Sequence, residues 1–148
     1  MNIDDIINLF KLGKASAKSH IRNLIEIAAA DGNLGVEEQR LLQLAAIRNY
    51  ITDAELKDIQ ANPSKVPFKI PGNKHDRFRK LYDLVHMMSV DKDIHTEELR
   101  LCEIFAVRFG YRKESVREMI NMIKENINEW IGPEETMVKV EHNLKIYE

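Results

Sequence analysis

The chain has 148 residues, of which 31% are charged and 44% apolar, the ordinary balance of a single-domain globular protein. Its formal net charge of −2 lacks the basic excess of a nucleic-acid binder, and no apolar run is long enough to span a membrane. The acidic N-terminus does not resemble a secretory signal, and a single cysteine excludes an intramolecular disulfide. We therefore expect a cytoplasmic domain that neither binds nucleic acid nor inserts into a membrane.

The hydrophobic pattern predicts helices from the first residues onward. Apolar residues recur at spacings of three and four throughout, and no segment sustains the alternation of a strand. The first helix is short, ends near Gly13, and places Ile3, Ile6, Ile7 and Phe10 on one face. A second helix and its later counterpart carry matching apolar positions, namely Ile21, Leu24, Ile25 and Ala28 in one and Leu81, Leu84, Val85 and Met88 in the other.

The second and third helices belong to a unit that occurs twice. The segment from Leu24 to Arg48 aligns without a gap with the segment from Leu84 to Arg108, at an offset of 60 residues. Each unit is predicted to be helix, acidic loop, helix, turn, helix. Polar positions recur as well as apolar ones, so the acidic loop is where function is sought; the shared polar pairs are Asp31/Asp91, Glu37/Glu97, Glu38/Glu98, Arg40/Arg100 and Arg48/Arg108.

These elements predict one compact all-α bundle of seven or eight helices, built from two pseudo-symmetric helix-loop-helix repeats in a single domain, residues 1–148. Prolines spaced by four interrupt the helices between the repeats and predict an extended connector there. The expected boundaries are repeat one at about 15–61, the connector at 62–73, repeat two at about 74–125, and a C-terminal extension at 126–148.

Helix starts are indicated by capping residues. Thr52 with Glu55, and Ser115 with Glu118, match the capping-box pattern and should open the last helix of each repeat. Thr96 is the predicted N-cap of the helix after the second acidic loop. In the C-terminal extension, a proline after Gly132 would begin an eighth helix, although two nearby valines also suit a short strand.

The aspartates of the two acidic loops are poorly placed electrostatically. Asp31 and Asp91 each follow a helix C-terminus, where the helix dipole already carries partial negative charge. A bound cation would relieve this, since hard divalent ions take carboxylate and carbonyl oxygens as ligands. A local Asx-turn, or Arg40 or Arg100 folding back, would relieve it equally well.

The paired glutamates of each loop divide by spacing. Glu37 and Glu97 lie three residues before an arginine, so an exposed ion pair within the helix accounts for them. Glu38 and Glu98 instead face the apolar stripe and need a partner. The candidate metal ligands are therefore Asp31, Glu38, Asp91 and Glu98, with Asn33 and Asp93 as second-rank oxygen donors.

The metal hypothesis requires the two loops to converge, and the ion could be calcium, magnesium, manganese or zinc. An EF-hand does not fit, because the twelfth loop position, where a bidentate glutamate belongs, is Leu42 in one copy and Cys102 in the other. The alternative to an ion is helix capping combined with surface ion pairing.

The acidic loops and one motif before the second copy resemble a known family. Residues 30–38, residues 90–98 and the segment Phe68–Pro71 are similar to the TerB-like domain of bacterial tellurite-resistance proteins, over roughly residues 15–125. The resemblance implies a two-repeat helical bundle in the bacterial cytoplasm, linked to stress or metal responses and without established enzymatic activity. It implies the same four acidic ligand positions. Lys92 departs from the family's glycine, which favours the loop at Asp31 if only one loop binds an ion.

The alternative function is a metal-independent interaction scaffold or co-chaperone-like adaptor for an unknown protein partner. Its docking surface would be an exposed apolar patch on the seventh helix, formed by Met119, Met122 and Ile123. No activated nucleophile or matched acid and base is recognisable, so an enzyme is not expected. Packing roles are predicted for the remaining notable side chains: Tyr50, Tyr111 and Trp130 as anchors, and Cys102 as an inert buried thiol.

Overall fold

The computed structural model describes residues 3–11, 17–30, 34–62, 70–89 and 96–147, except for the side chains of residues 9–11, 17–21, 37 and 97. Within these ranges the chain forms eight α-helices and no strand. The fold is therefore all-α, as the spacing of apolar residues predicts. The helices are α1 (Ile3–Lys11), α2 (Ala17–Ala29), α3 (Val36–Arg48), α4 (Asp53–Ala61), α5 (Lys74–Ser89), α6 (Thr96–Arg108), α7 (Val116–Asn128) and α8 (Pro133–Asn143).

Helices α5 and α6 lie at the centre of the bundle. Helix α5 packs against α1, α2, α6, α7 and α8, and α6 packs against α2, α3, α5 and α7. Their inward faces carry large side chains with almost no exposed surface, including Phe78 on α5 and Phe105 on α6. Burial of this apolar surface is the main driving force for the fold. Cys102 of α6 is completely buried, which confirms the predicted burial, and burial raises the pKa of its thiol. The inertness of this thiol stays a prediction.

Helices α3 and α6 run antiparallel. Asn49, which caps the C-terminus of α3, hydrogen-bonds to Glu98 in the first turn of α6. At the other end, Lys113 in the turn after α6 forms an ion pair with Glu38 in the first turn of α3. Each helix therefore begins beside the end of the other, and Glu38 and Glu98 lie at opposite ends of the pair.

The predicted capping residues have different outcomes. Thr52 forms a full capping box with Glu55, since Thr52 Oγ1 accepts from Glu55 N at 3.1 Å and Thr52 N donates to Glu55 Oε1 at 3.4 Å. Ser115 is the N-cap of α7, as predicted, but it forms no capping box, because its hydroxyl instead donates to the carbonyl of Lys145 at 2.6 Å. Helix α6 begins at Thr96 itself, so Thr96 is its first helical residue and not its N-cap.

The C-terminal extension is helical and fastened to the bundle. Helix α8 begins at Pro133, as the sequence predicts, and buries Met137 and Val140 against α5 and α7. The described residues after the C-cap, 145–147, lie against the α6–α7 connection. There, Arg112 N donates to the carbonyl of Ile146 at 2.8 Å, and the Ile146 side chain is buried.

Three residues with positive φ end helices, and two of them are aromatic. Tyr50 (φ 61°) follows α3, Gly110 (φ 95°) follows α6, and Trp130 (φ 62°) follows α7. The exposed fractions of Tyr50 and Trp130 are 84% and 95%, so the prediction that they anchor packing is wrong. Tyr111 is buried, which confirms the prediction for that residue.

Candidate functional site

Two of the six predicted ligand residues lie in the described part of the chain, and they occupy different places. Glu38 is in the first turn of α3 and Glu98 is in the first turn of α6. The other four predicted ligands lie outside the described residues: Asp31, Asn33, Asp91 and Asp93. The structure therefore shows the surroundings of one predicted ligand in each copy of the repeat.

Glu38 is occupied by contacts within the protein. Its carboxylate folds back toward the start of its own helix, so closely that a Cβ on Gly35 would lie 2.6 Å from Glu38 Oε2. Glycine at this N-cap position is what leaves room for the carboxylate. Lys113 Nζ lies 3.2 Å from Glu38 Oε1. The hydrogen bond from its own backbone N–H, and then Lys113, hold the pKa of Glu38 below its ordinary value, against the opposing effect of burial.

Glu98, in contrast to Glu38, forms no ion pair with the described part of the chain and is buried. Only 4% of its surface is exposed, and one carboxylate oxygen, Oε1, accepts a hydrogen bond from Asn49 Nδ2 at 3.1 Å. Asn49 is itself oriented by a second hydrogen bond, from Nδ2 to the carbonyl of Ala45 at 2.8 Å. The other oxygen, Glu98 Oε2, is buried and accepts no hydrogen bond from the described part of the chain. An unpaired buried polar atom costs about 1–3 kcal/mol, and more when it is charged.

The two inner glutamates do not share one site. Glu38 lies near the start of α3, whereas Glu98 contacts Asn49, eleven residues further along, a separation of about 16 Å at the rise of an α-helix. Oxygens that ligate one divalent ion lie within about 2.6 Å of it. Glu38 and Glu98 therefore cannot ligate the same ion, and the convergence that the sequence hypothesis requires does not occur between these two residues.

A third carboxylate, that of Glu103, lies between α3, α6 and α7 and is not among the predicted site residues. Glu103 Oε1 accepts hydrogen bonds from Arg100 Nη1 and from Arg117 Nε, each at 2.9 Å. It borders a groove of about 510 Å³ formed by these helices and by the turn that contains Lys113. Arg100 was expected to pair with Glu97, whose side chain is outside the described residues. The sequence signal that identifies this cluster is the i, i+3 spacing of Arg100 and Glu103.

The apolar patch predicted on α7 is wrong. Met119 and Ile123 have no exposed surface, and Met122 is half-buried against the core. Helix α7 contacts α5, α6 and α8, so the face that carries these residues is covered by the protein itself. A docking surface, if present, lies elsewhere on the molecule.

No group of three or more metal-ligating side chains occurs among the described residues, and no helix in that part of the chain is long and apolar enough to cross a membrane. Comparison with protein-family models, with curated proteins and with solved structures found no match. The class that the structure defines is thus an all-helical bundle with a buried, half-satisfied glutamate at the start of α6.

Proposed function

We propose that the protein is a non-enzymatic helical module that binds a divalent cation at its second acidic loop, with Glu98 as a ligand. The observation that carries this proposal is the buried and unpaired Glu98 Oε2. A cation beside this oxygen would compensate its buried negative charge. Calcium, magnesium and manganese fit the chemistry best, because they prefer oxygen ligands.

The first loop fits a cation less well than the second. Both oxygens of Glu38 already face positive charge, one from Lys113 and the other from the N-terminus of α3. A metal there would have to displace an existing ion pair. Among the described residues no hydrogen-bond donor contacts Glu98 Oε2, so we prefer the second loop, although Lys92 favours the first loop on sequence grounds.

The remaining ligands are proposed from sequence position. Asp91 and Asp93 lie in the connection between the end of α5 and the start of α6, within seven residues of Glu98, and they are outside the described residues. Asn49 would act as a positioning residue, since its amide fixes Oε1 and leaves Oε2 for the ion. A bound cation would thereby connect the second loop to the C-terminus of α3.

We also propose that the chain is related to the TerB-like domains it resembles and that it acts in a bacterial stress, metal or tellurite response. We further propose that its two halves descend from one repeated unit. Supporting the repeat, α3 and α6 have the same length and begin 60 residues apart. Their C-termini also match, since Ile51 N donates to Ala46 O at 2.9 Å and Tyr111 N donates to Ala106 O at 3.1 Å.

The test is thermal unfolding with and without calcium, magnesium, manganese or zinc. An ion at about 100 times its Kd stabilises the folded state by about 2.7 kcal/mol, which raises the Tm of a domain of this size by about 5–10 °C. Glu98→Gln should abolish the rise, because the neutral amide is a poor ligand. Glu38→Gln is the matched control and should keep the rise.

Three results would contradict the proposal. The first is a Tm that none of the four ions changes. The second is a rise that Glu98→Gln retains in full. The third is a rise that Glu38→Gln abolishes while Glu98→Gln does not, which would place the ion at the first loop instead.

A further inference from the structure

The side-chain amide of Asn49 has a single favourable orientation beside Glu98. Asn49 Nδ2 donates to the carbonyl of Ala45 at 2.8 Å and to Glu98 Oε1 at 3.1 Å, so the two hydrogens of the amide have two acceptors. A flipped amide would turn its own oxygen toward these two oxygens and lose both hydrogen bonds. The donating side of the amide is therefore held toward Glu98.

The backbone of Asn49 is held in place as well as its side chain. Asn49 caps the C-terminus of α3, where its N–H donates to the carbonyls of Ala45 at 3.2 Å and of Ala46 at 3.0 Å. Both alanines are completely buried in the core. The amide cannot follow a movement of Glu98 without breaking contacts in the last turn of α3, so it is a fixed donor.

This donor makes the two oxygens of the Glu98 carboxylate unequal. Oε1 accepts from Asn49, whereas Oε2 accepts no hydrogen bond from the described residues. In metal sites, a carboxylate that binds an ion is itself oriented by hydrogen bonds from neighbouring groups. A cation at Glu98 is therefore bound through Oε2 alone, as long as Asn49 keeps its contact with Oε1.

Coordination through one oxygen distinguishes between divalent ions. Calcium takes six to eight oxygen ligands, and a carboxylate often supplies two of them. Magnesium takes six ligands in octahedral geometry and is bound by one or two carboxylates while it keeps several waters, and manganese also accepts an octahedral set of oxygens.

We propose that Asn49 determines the ion selectivity of this site, by restricting Glu98 to one-oxygen coordination and so favouring magnesium or manganese over calcium. Asn49 touches the ligand and not the ion, so it is a positioning residue. This inference rests on the proposed cation site at Glu98 and names the class of ion that the site selects.

The first half of the chain has no equivalent of this arrangement. The residue 60 positions after Asn49 is Phe109, which directly follows α6 and has no hydrogen-bonding group in its buried side chain. Glu38, the counterpart of Glu98, pairs with Lys113 instead. The amide that orients a carboxylate is therefore specific to the environment of Glu98.

The test is isothermal titration calorimetry of the full-length protein with magnesium, manganese and calcium chloride in separate experiments. The wild type should bind magnesium and manganese more tightly than calcium. Asn49→Ala should weaken magnesium and manganese binding by about tenfold or more, the usual effect of losing a group that orients a metal ligand. It should weaken calcium less, because the larger ion gains Oε1 as a second oxygen, so the preference over calcium should shrink by a similar factor.

Asn62→Ala is the matched control. Asn62 caps the C-terminus of α4, and its Nδ2 donates to the carbonyl of Asp58 at 3.0 Å, as Asn49 does to Ala45. Its second acceptor is Asp58 Oδ1 and not Glu98. Asn62→Ala thus removes the same kind of helix cap and should keep the ion preference of the wild type.

Stability is checked separately from selectivity. Unfolding without added ion shows whether Asn49→Ala is folded; if it is not, Asn49→Gly removes the same amide at a helix end, where glycine is well tolerated, and should show the same change in preference. A loss of stability alone would weaken all three ions by the same factor and leave their order unchanged.

The inference is overturned, and the cation site retained, if binding depends on Glu98 but calcium binds most tightly to the wild type. The same holds if removal of the Asn49 amide leaves the order and spacing of the three affinities unchanged, or if Asn62→Ala changes them equally. Absence of binding for every ion, or binding that Glu98→Gln retains in full, would overturn both the inference and the cation site.

Discussion

The positive φ values after α3 and α6 allow a quantitative prediction of how two substitutions change stability. Tyr50 and Gly110 occupy the same position 60 residues apart, immediately after α3 and α6, with φ values of 61° and 95°. A residue with a Cβ pays about 1–2 kcal/mol in the left-handed region, and glycine pays almost none. The reciprocal substitutions Tyr50→Gly and Gly110→Ala should therefore change stability in opposite directions.

The structure sets the magnitude. A Cβ at Gly110 would meet nothing closer than Arg77 Nη1 at 3.9 Å, so the cost of Gly110→Ala is conformational and not steric. Against it stands the gain of about 0.4–1 kcal/mol from reducing the freedom of the unfolded chain. We expect a net loss of about 0.5–1 kcal/mol for Gly110→Ala and a net gain of similar size for Tyr50→Gly, whose exposed ring packs on little.

Urea unfolding measures both changes as shifts in the transition midpoint at constant slope. Tyr50→Ala is the control, because it removes the ring and keeps the strained backbone; its stability should match that of the wild type. The reasoning is refuted if Tyr50→Gly is less stable than Tyr50→Ala. Neither variant has the ring, so the left-handed backbone at this position would then cost less than the freedom that glycine adds to the unfolded chain.

Three further predictions concern a helix cap, the C-terminal tail and pH. Thr52→Ala should lower the free energy of unfolding by about 1 kcal/mol in urea, because the capping box of α4 is lost; no change would mean the cap is dispensable. Ile146→Ala should cost about 2–4 kcal/mol by the same assay, and a cost under 1 kcal/mol would show that the tail is not packed as described. Glu38→Gln should cost about 1 kcal/mol at pH 7, since the lowered pKa of Glu38 gives stability above the ordinary carboxyl pKa. That difference should disappear as the pH falls through the folded-state pKa, and a difference that persists in acid would contradict the assignment.

The sequence predicts the helices well because apolar periodicity and capping are local properties. The presence of α3 and α6 after the two acidic loops and the start of α8 at Pro133 follow from residues within one or two turns. Periodicity identifies which face of a helix is apolar but not what covers it. Periodicity therefore predicts an exposed patch at Met119 and Ile123, whereas other helices bury both residues.

The candidate site was predicted only in part, because its partners are distant in sequence. Spacing selects Glu38 and Glu98 as inward carboxylates in need of partners. Their partners, Lys113 and Asn49, lie 75 and 49 residues away and meet them only because α3 and α6 are antiparallel. Glu38 and Glu98 occupy equivalent positions in the sequence repeat, but their tertiary contacts differ.

The same limitation applies to the aromatic residue after α3. A packing anchor is predicted at Tyr50 because large aromatic residues usually are buried, yet this residue follows a helix end with a left-handed backbone and its ring is exposed. The alignment with Gly110 in the second copy was the sequence signal for this conformation.

The most direct test of the cation proposal is a crystal structure of the protein grown with manganese and measured at a wavelength where manganese scatters anomalously. The account predicts an anomalous peak at about 2.0–2.6 Å from Glu98 Oε2, with Asn49 still hydrogen-bonded to the other oxygen and with Glu38 still paired to Lys113. An anomalous map with no peak at Glu98, in which Oε2 instead accepts a hydrogen bond from a protein group or a water molecule, would contradict it.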